Sequence, residues 1–570
     1  MEVRNINIRA LIKPHIFKLS IIFLCMIISS IVNLLIPLAN KHMMDDGLLK
    51  NHFQNVVMYS GLAFLLVFCD KMFNVIQEKL RTRISAKIKF TLHESALNHL
   101  LRLKIDYFNE TNQTQLLNNL TTDISNISRI FDKSLLFALS QLFGLIGGFI
   151  GLFLINFKLA IIVLCFIPVK YVLVRVFSNH KKKRVNEYIE KSSDYADWFA
   201  DTVEGIKEIK LFGISKIKKA EFTEKQSHIV ETERKLMLWD TWNLFSETVL
   251  MELLIMLTYI AGANLVFHLA LSIGDLFAFA TYSTYVTAPI STLLNVNYLF
   301  AGISPSFKRF RSFLSFEVEQ SAGNLGHCEP ANQEIKFENI SFAYKDRENL
   351  LQNVNFSIKE GEKVALIGDN GCGKSTILNL LVGFSKPDKG KITIGGVDIE
   401  EIDLDVRRSL ISLVSQQVHL FNTSIKNNIT LFKEYNDSLI ENVVKDTSLL
   451  GFSSDQLEIN DGLVGQGGKK LSGGQKQKVA LARALIMERK ILILDEATSN
   501  MDVESEHNII HLFKHRLKST TVLVVTHNPE ILKNMDKFLL INNKQVITFD
   551  SYASMKSYLD HQQSELMITK

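Results

Sequence analysis

A glycine-rich loop followed by a lysine and a serine carries the clearest chemical signal in the 570-residue chain. The loop matches the pattern G-x-x-x-x-G-K-[ST] and consists of Gly368, Asp369, Asn370, Gly371, Cys372, Gly373, Lys374 and Ser375. The apolar run KVALI precedes it, and a helix-forming run that begins at Thr376 follows it. Backbone amides in such a loop close around phosphate, Lys374 neutralises it, and Ser375 offers an oxygen ligand to Mg²⁺. The loop by itself predicts nucleotide binding and no particular reaction.

Two adjacent carboxylates, Asp495 and Glu496, follow the apolar run ILIL further along the chain. Asp495 is placed to hold Mg²⁺, directly or through water, and Glu496 can polarise the water that attacks a phosphate. Acidic residues at the end of a strand are often no more than solvated surface. The phosphate-binding loop upstream favours the catalytic interpretation here.

The stretch LSGGQ lies between the loop and the carboxylates, and with it the sequence resembles the ATPases of ABC transporters. This signature consists of Leu471, Ser472, Gly473, Gly474 and Gln475. The resemblance implies that Tyr344 in ISFAY stacks on adenine and that Gln416 in VSQQVHLF reaches Mg²⁺ and senses the membrane domain. It also implies that Asp502 in SNMD is the D-loop aspartate and that His527 in VVTHN lies near the γ-phosphate.

The family resemblance further implies that each ATP site is shared by two chains. In ABC proteins Ser472, Gly474 and Gln475 of one copy would close over ATP held by Lys374 of the other copy. Because the signature and Glu496 are both intact, we expect a homodimer with two competent sites that use ATP and Mg²⁺. A heterodimer with another half-transporter is the alternative. Several positions depart from the family pattern, among them Gln466 in VGQGG, and these departures concern coupling contacts and not phosphate chemistry.

The elements around these residues predict two domains. From Glu334 onward, short β-rich runs alternate with helical stretches, which indicates an α/β domain with a largely parallel sheet over 334–560. The segment 313–333 contains Gly323, Gly326 and Pro330 and is predicted to be a linker. Residues 1–312 are expected to form an all-α transmembrane domain.

Six apolar stretches in 1–312 approach the length of about 20 residues that a membrane-crossing helix needs. They cover 19–38, 56–76, 135–155, 159–177, 244–267 and 276–300. Lys and Arg cluster before the first, after the second and after the fourth stretch, which places both termini and the ATPase domain in the cytoplasm. The long charged stretches after the second and fourth spans predict helical extensions into the cytoplasm. The resemblance to bacterial half-size exporters implies a multi-pass protein of the cytoplasmic (inner) membrane, with coupling segments at 105–124 and 200–213.

Charged residues inside the predicted spans are candidates for contact with a substrate, because a charge at the bilayer centre is unfavourable by at least about 2.5 kcal/mol. Asp70 and Lys71 lie near the inner end of their span, where snorkelling or mutual pairing explains them. Glu252 lies deeper. We hypothesise that Glu252 faces the substrate cavity and favours cationic or amphipathic cargo, although a buried structural glutamate fits the sequence equally well.

Composition excludes several other functions. The chain has 64 Lys and Arg against 59 Asp and Glu, and this small excess gives no reason to expect nucleic-acid binding. None of its five cysteines forms a CxxC pair, so neither a zinc site nor a disulfide framework is indicated.

From the motifs, the predicted spans and the family resemblance together, we expect ATP-driven export of an amphipathic small molecule, peptide or lipid by alternating access, in contact with membrane lipids. A lipid or lipid-linked flippase is the alternative. A nucleotide-gated channel or sensor fits less well, because intact Glu496 and LSGGQ indicate turnover.

Overall fold

The computed structural model describes residues 11–568, apart from 112, 130–132, 320–329, 331, 345–347, 450–461 and 498–502. The chain divides into two compact units. The first comprises Met1–Arg102 and Asn112–Phe316, and the second comprises Leu103–Thr111 and Glu317–Lys570. The first unit is helical and the second is α/β, which confirms the predicted fold class. Asp502 and most of the predicted linker lie outside the described residues.

Long helices build the N-terminal part of the chain. They are α1 (Ile16–His42), α2 (Phe53–Leu100), α3 (Ile105–Glu110), α4 (Gln113–Ser128), α5 (Lys133–Ile155), α6 (Phe157–Glu204), α7 (Ile206–Leu211), α8 (Ser215–Phe267) and α9 (Ile273–Leu314). Helices α2, α6 and α8 contain 48, 48 and 53 residues, about twice the length that a bilayer requires. These lengths agree with the predicted helical extensions beyond the membrane. The short helix α3 belongs to the second unit.

Among the described residues, five helical segments are long and apolar enough to cross a membrane. They are Lys13–Leu48, Phe53–Leu100, Phe137–Ile155, Phe157–Glu204 and Ser215–Phe267. Helix α9, which contains the predicted sixth span, is not among them. Two of its hydroxyl side chains form hydrogen bonds with backbone carbonyl groups of the same helix. Ser283 Oγ donates to the carbonyl oxygen of Phe279, and Thr287 Oγ1 donates to that of Ser283. The sixth span stays a prediction.

Small residues allow the helices of the first unit to approach closely. Helix α1 packs on α2, α5 on α9, and α6 on α8. A Cβ atom built on Gly151 of α5 would lie 2.9 Å from the ring of Tyr282 on α9. Tyr282 is buried, and its hydroxyl donates to the carbonyl oxygen of Leu34 at 2.5 Å. The glycine is therefore required by the contact between two helices.

Two sheets form the second unit. The strands are β1 (Ile335–Phe342), β2 (Leu351–Ile358), β3 (Lys363–Ile367), β4 (Lys389–Ile394), β5 (Val397–Asp398), β6 (Ile411–Val414), β7 (Ile491–Asp495), β8 (Thr521–Val525), β9 (Lys537–Asn542) and β10 (Gln545–Phe549). One sheet has the antiparallel order β2-β1-β4-β5. The other has the order β10-β9-β3-β8-β7-β6, in which all pairs are parallel except β10 with β9.

Helices cover the parallel sheet of the second unit. They are α10 (Lys374–Val382), α11 (Leu404–Leu410), α12 (Ile425–Thr430), α13 (Asp437–Asp446), α14 (Gly473–Ile486), α15 (Val503–Lys514), α16 (Pro529–Leu532) and α17 (Tyr552–Ile568). Strands β3 and β8 are buried along their whole length, as expected for central strands of a parallel sheet. The loops that form the candidate site follow these buried central strands and their neighbours.

Candidate nucleotide-binding site

The carboxyl ends of four neighbouring parallel strands carry most of the predicted site residues. The strands lie side by side in the order β3-β8-β7-β6. The glycine-rich loop follows β3, and Asp495 is the last residue of β7. Gln416 comes two residues after β6, and His527 comes two residues after β8. Because these ends share one edge of the sheet, residues that are distant in sequence meet there.

The glycine-rich loop has a backbone that side chains would obstruct. Gly373 has φ +112° and directly precedes helix α10, and Gly368 has φ +153°. A Cβ atom on Gly368 would lie 2.7 Å from Cys372 Sγ. The loop thus directs its amides to the start of a helix, which is the arrangement that binds phosphate.

Lys374 places its charge across the glycine-rich loop. Its side chain is buried, and Nζ donates to the carbonyl oxygens of Gly368 at 2.7 Å and Asp369 at 2.9 Å. A buried ammonium that donates to neutral carbonyls is poised to exchange them for a negatively charged oxygen. This geometry agrees with the prediction from sequence that Lys374 binds phosphate.

The two carboxylates at the end of β7 have different surroundings. Ser375 Oγ lies 3.4 Å from Asp495 Oδ2. Burial, with the negative charge of Glu496 beside it, raises the pKa of the Asp495 carboxyl. Glu496 has φ +48°, an uncommon conformation for a residue other than glycine, and its backbone N–H donates to the carbonyl oxygen of Val525 at 3.0 Å. Gln416 Nε2 donates to Glu496 Oε2 at 2.6 Å.

One cleft of about 580 Å³ brings many of these residues together. Its lining consists of Tyr344, Glu348, Leu350, Asn370, Gly371, Gly373, Lys374, Ser375, Thr376, Gln416 and Glu496. The phenol oxygen of Tyr344 lies 3.1 Å from Thr376 Oγ1, so the aromatic ring is tied to the start of α10. Sequence reasoning missed only Glu348 and Leu350 in this lining, because no motif includes them. The exposed residue His527 and the carboxylate of Asp495 lie outside the lining.

The signature residues also lie outside the lining of the cleft. Ser472 is the N-cap of α14: its Oγ accepts from the backbone N–H of Gln475 at 3.2 Å, and Gln475 Oε1 accepts from the backbone N–H of Ser472 at 2.8 Å. The positive end of the helix dipole lies at this capped N-terminus, where Ser472 and Gly473 are exposed. That the signature closes over ATP held by another chain stays a prediction.

Three charged residues within the predicted spans of the first unit, Glu247, Asp70 and Lys71, have polar partners. Glu247 accepts from Asn243 Nδ2 at 2.8 Å and from Ser291, and lies 3.8 Å from Lys170 Nζ. Asp70 and Lys71 pair with each other at 3.0 Å, as one of the two explanations from sequence predicts. Glu252 is exposed on α8 in the single chain, and its place in a substrate cavity stays a prediction.

Comparison with known proteins agrees with this arrangement. The family model for the ABC transporter transmembrane region matches residues 19–290, and the model for the ABC transporter ATPase, described as "ABC transporter", matches residues 351–499. An ATP-dependent lipid A-core flippase of Haemophilus influenzae is 29% identical over 513 residues, which are 89% of this chain and 87% of that protein. A protein of the same name from Wigglesworthia glossinidia brevipalpis is 28% identical over 548 residues, 95% of this chain and 94% of that protein.

A solved structure of a bacterial Atm1-family ABC exporter with ATP bound has the same fold. Its TM-score is 0.79 at 20% sequence identity, and the match covers 95% of this chain and 96% of that one. The chain is thus a nucleotide-binding, multi-pass membrane protein that couples ATP hydrolysis to export. Because it carries one membrane domain and one ATPase domain, it works as a dimer. With both family models matched in this order, the chain belongs to the ABC transporters, as a half-size member of the exporter type.

Proposed function

We propose that this chain, as a homodimer, uses Mg²⁺-ATP to move an amphipathic lipid from the inner to the outer leaflet of the bacterial cytoplasmic membrane. One observation carries the ATP-driven part: Lys374, Gln416 and Glu496 line the same cleft. The curated relatives that match over most of the chain are named lipid A-core flippases, and these names favour a lipid over a peptide or drug.

Two residues of the cleft lining and Asp495, which lies outside the lining, suit Mg²⁺. Ser375, Gln416 and Asp495 offer hydroxyl, amide and carboxylate oxygens, which are the ligands that this ion prefers. Burial and the charge of Glu496 raise the pKa of Asp495 even though Lys374 acts in the opposite direction, and a bound divalent ion would favour the ionised carboxylate. When bound, Mg²⁺ neutralises charge on the β- and γ-phosphates.

The protein's own groups then divide the remaining work. Lys374 leaves the carbonyl oxygens of Gly368 and Asp369 for the phosphates, and Tyr344 packs on the base. Glu496 orients and polarises the attacking water, and His527 contacts the γ-phosphate. Asp502, the aspartate of the D-loop, belongs to the same proposed ATP site.

Two copies complete each site. The capped N-terminus of α14, with Ser472, Gly474 and Gln475, covers the ATP of the partner. Since one sequence supplies both an intact signature and an intact Glu496, two identical chains give two competent sites. The Lys and Arg clusters that flank the predicted spans support a cytoplasmic location of the ATPase domain.

The proposal is tested with proteoliposomes that contain a fluorescent lipid in both leaflets. A membrane-impermeant quencher reports the lipid that the protein moves after ATP is added. Wild-type protein should change the quenchable fraction, and Glu496→Gln should lower turnover about 10²- to 10⁴-fold and stop the movement. Glu434→Gln, at an exposed position outside the cleft, should behave as wild type. ATP hydrolysis without lipid movement would contradict the lipid proposal and favour a peptide or small-molecule cargo.

A further inference from the structure

A polar cavity of about 300 Å³ lies among α1, α2, α5 and α9 of the membrane unit. We call it the Asp70 cavity. Its polar lining includes Ser29, Asn33, Asp70, Asn74, Gln77 and Gln141. A volume at the low end of the range for ligand sites suits the head group of a lipid and not a whole lipid. Polar side chains inside a membrane-spanning bundle are unfavourable unless they have a function or a partner.

Asp70 organises one side of this cavity. It is 2% exposed, and its two carboxylate oxygens accept from side chains of α1 and α2. Ser29 Oγ and Asn33 Nδ2 donate to Oδ1, the latter at 2.8 Å. Lys71 Nζ and Asn74 Nδ2 donate to Oδ2 at 3.0 and 3.1 Å. The carboxylate is thus fully engaged, and it fixes the orientation of the amides around it.

Gln77 supplies a donor that the protein leaves unused. It lies two turns beyond Asp70 on α2 and lines the cavity. Its Nε2 is buried and has no hydrogen-bond partner in the described part of the chain. Buried amide donors almost always have a partner, so this one indicates a polar ligand.

The balance of charge defines the chemistry of that ligand. Asp70 and Lys71 cancel each other at 3.0 Å, and the other polar side chains in the described lining are amides and hydroxyls. A phosphate would need a cation that is not already paired, and a cationic group would have to displace donors from Asp70. A neutral group with several hydroxyls or amides needs neither an unpaired cation nor the displacement of a donor from Asp70.

We propose that the Asp70 cavity binds the head group of the transported lipid, and that this head group is neutral and rich in hydroxyls, as in a sugar. This inference rests on the lipid export proposed above. Met26, Leu34 and Phe137 also line the cavity and provide apolar surface for the start of the lipid chain. Asn74 and Gln77 bind the hydroxyls from α2, and Gln141 binds them from α5.

The test uses the full-length dimer in nanodiscs without ATP. Three diacylglycerol probes carry the same photoactivatable acyl chains and differ in the head group, which is glucosyl, phosphate or trimethylammonium. Mass spectrometry measures how strongly each probe labels peptides of α1, α2 and α5. Variant Gln77→Leu removes a side chain whose amide nitrogen has no partner among the described residues, so it should fold normally. Gln54→Leu is the matched control, because Gln54 is exposed on the same helix and lies outside the cavity.

We expect the glucosyl probe to label these peptides about fivefold or more above the other two, since each lost hydrogen bond is worth about 1 kcal/mol. Gln77→Leu should remove that preference, and Gln54→Leu should retain it. Equal or stronger labelling by the phosphate or trimethylammonium probe, or unchanged labelling in Gln77→Leu, would overturn the assignment of the cavity. The lipid-movement assay separates the two proposals. Movement with unselective labelling rejects only the cavity, whereas selective labelling without movement rejects the proposed export.

Discussion

Gln416 Nε2 donates to Glu496 Oε2 across 2.6 Å and so joins the loop after β6 to the end of β7. Both residues line the cleft that also contains Lys374 and Ser375. The bond holds the carboxylate of Glu496 toward the cleft, where we propose that it polarises water. It also couples the Gln416 loop to this proposed catalytic carboxylate.

Gln416→Ala should therefore slow ATP hydrolysis. Hydrogen bonds to charged groups are worth about 1.5 to 3 kcal/mol, so we expect kcat to fall about 10- to 100-fold. The Mg²⁺ concentration that gives half-maximal activity should rise as well, because a proposed ligand is lost. Gln417→Ala is the control, since the neighbouring Gln417 is exposed and lies outside the cleft. Equal activities of the two variants would contradict the function that we assign to this bond.

The raised pKa of Asp495 predicts a pH-dependent stability of the metal-free protein. A carboxyl whose pKa is higher in the folded protein binds its proton more tightly when folded. Folding stability therefore falls as pH rises from the ordinary value of 3.8 through the raised value, and the penalty persists above it. Asp495→Asn removes the penalty.

In EDTA, Asp495→Asn should thus raise the Tm of the ATPase unfolding transition at pH 7.5, and the difference should shrink as pH approaches 4. The measurement is differential scanning fluorimetry of both proteins across this range. Added Mg²⁺-ATP should reverse the order by stabilising only the wild type. A difference in Tm that does not change with pH would show that the carboxyl charge is not its cause.

Gly151 and Gly144 on α5 provide a matched pair of substitutions for the membrane unit. A Cβ atom on Gly151 meets the ring of Tyr282 at 2.9 Å, and the ring is anchored through its hydroxyl. Overpacking of this kind destabilises by about 1 to 3 kcal/mol. Apart from the chain neighbours of Gly144 and its own helix backbone, no heavy atom of the described residues lies within 4 Å of a Cβ atom on Gly144.

Gly151→Ala should therefore lower the midpoint of thermal aggregation of the solubilised protein, as followed by size-exclusion chromatography after heating. Gly144→Ala should leave it unchanged or raise it slightly, because alanine favours a helix over glycine. Equal aggregation midpoints for the two variants would contradict the close packing of α5 on α9.

The ATPase part was largely predictable from sequence because its chemistry lies in short motifs at strand ends. The run KVALI before Gly368 and the run ILIL before Asp495 predict two buried strands, and parallel strands bring their carboxyl ends together. The direct bond from Gln416 to Glu496 was not predictable, since it depends on the order of strands in the sheet.

The membrane part was less predictable because apolar periodicity does not say which faces of two helices meet. The sequence reveals Asp70 as a charge within a span, but only the packing of α1 on α2 brings Ser29 and Asn33 to its carboxylate. The requirement for Gly151 likewise arises from a residue on α9. The hydroxyl groups of α9 make its apolar character weak, and this is why the sixth span is harder to recognise.

The central claim is that each ATP site combines the glycine-rich loop of one chain with the signature of its partner. Lys374→Ala inactivates the first part, and Gly474→Asp places a negative charge beside the ATP of the partner without harming the start of α14, where acidic residues are favourable. Each variant alone should be inactive. Equal mixing during co-expression should restore about a quarter of wild-type ATPase activity, because half of the dimers then contain one intact site. Activity that stays at the level of the separate variants would contradict the account.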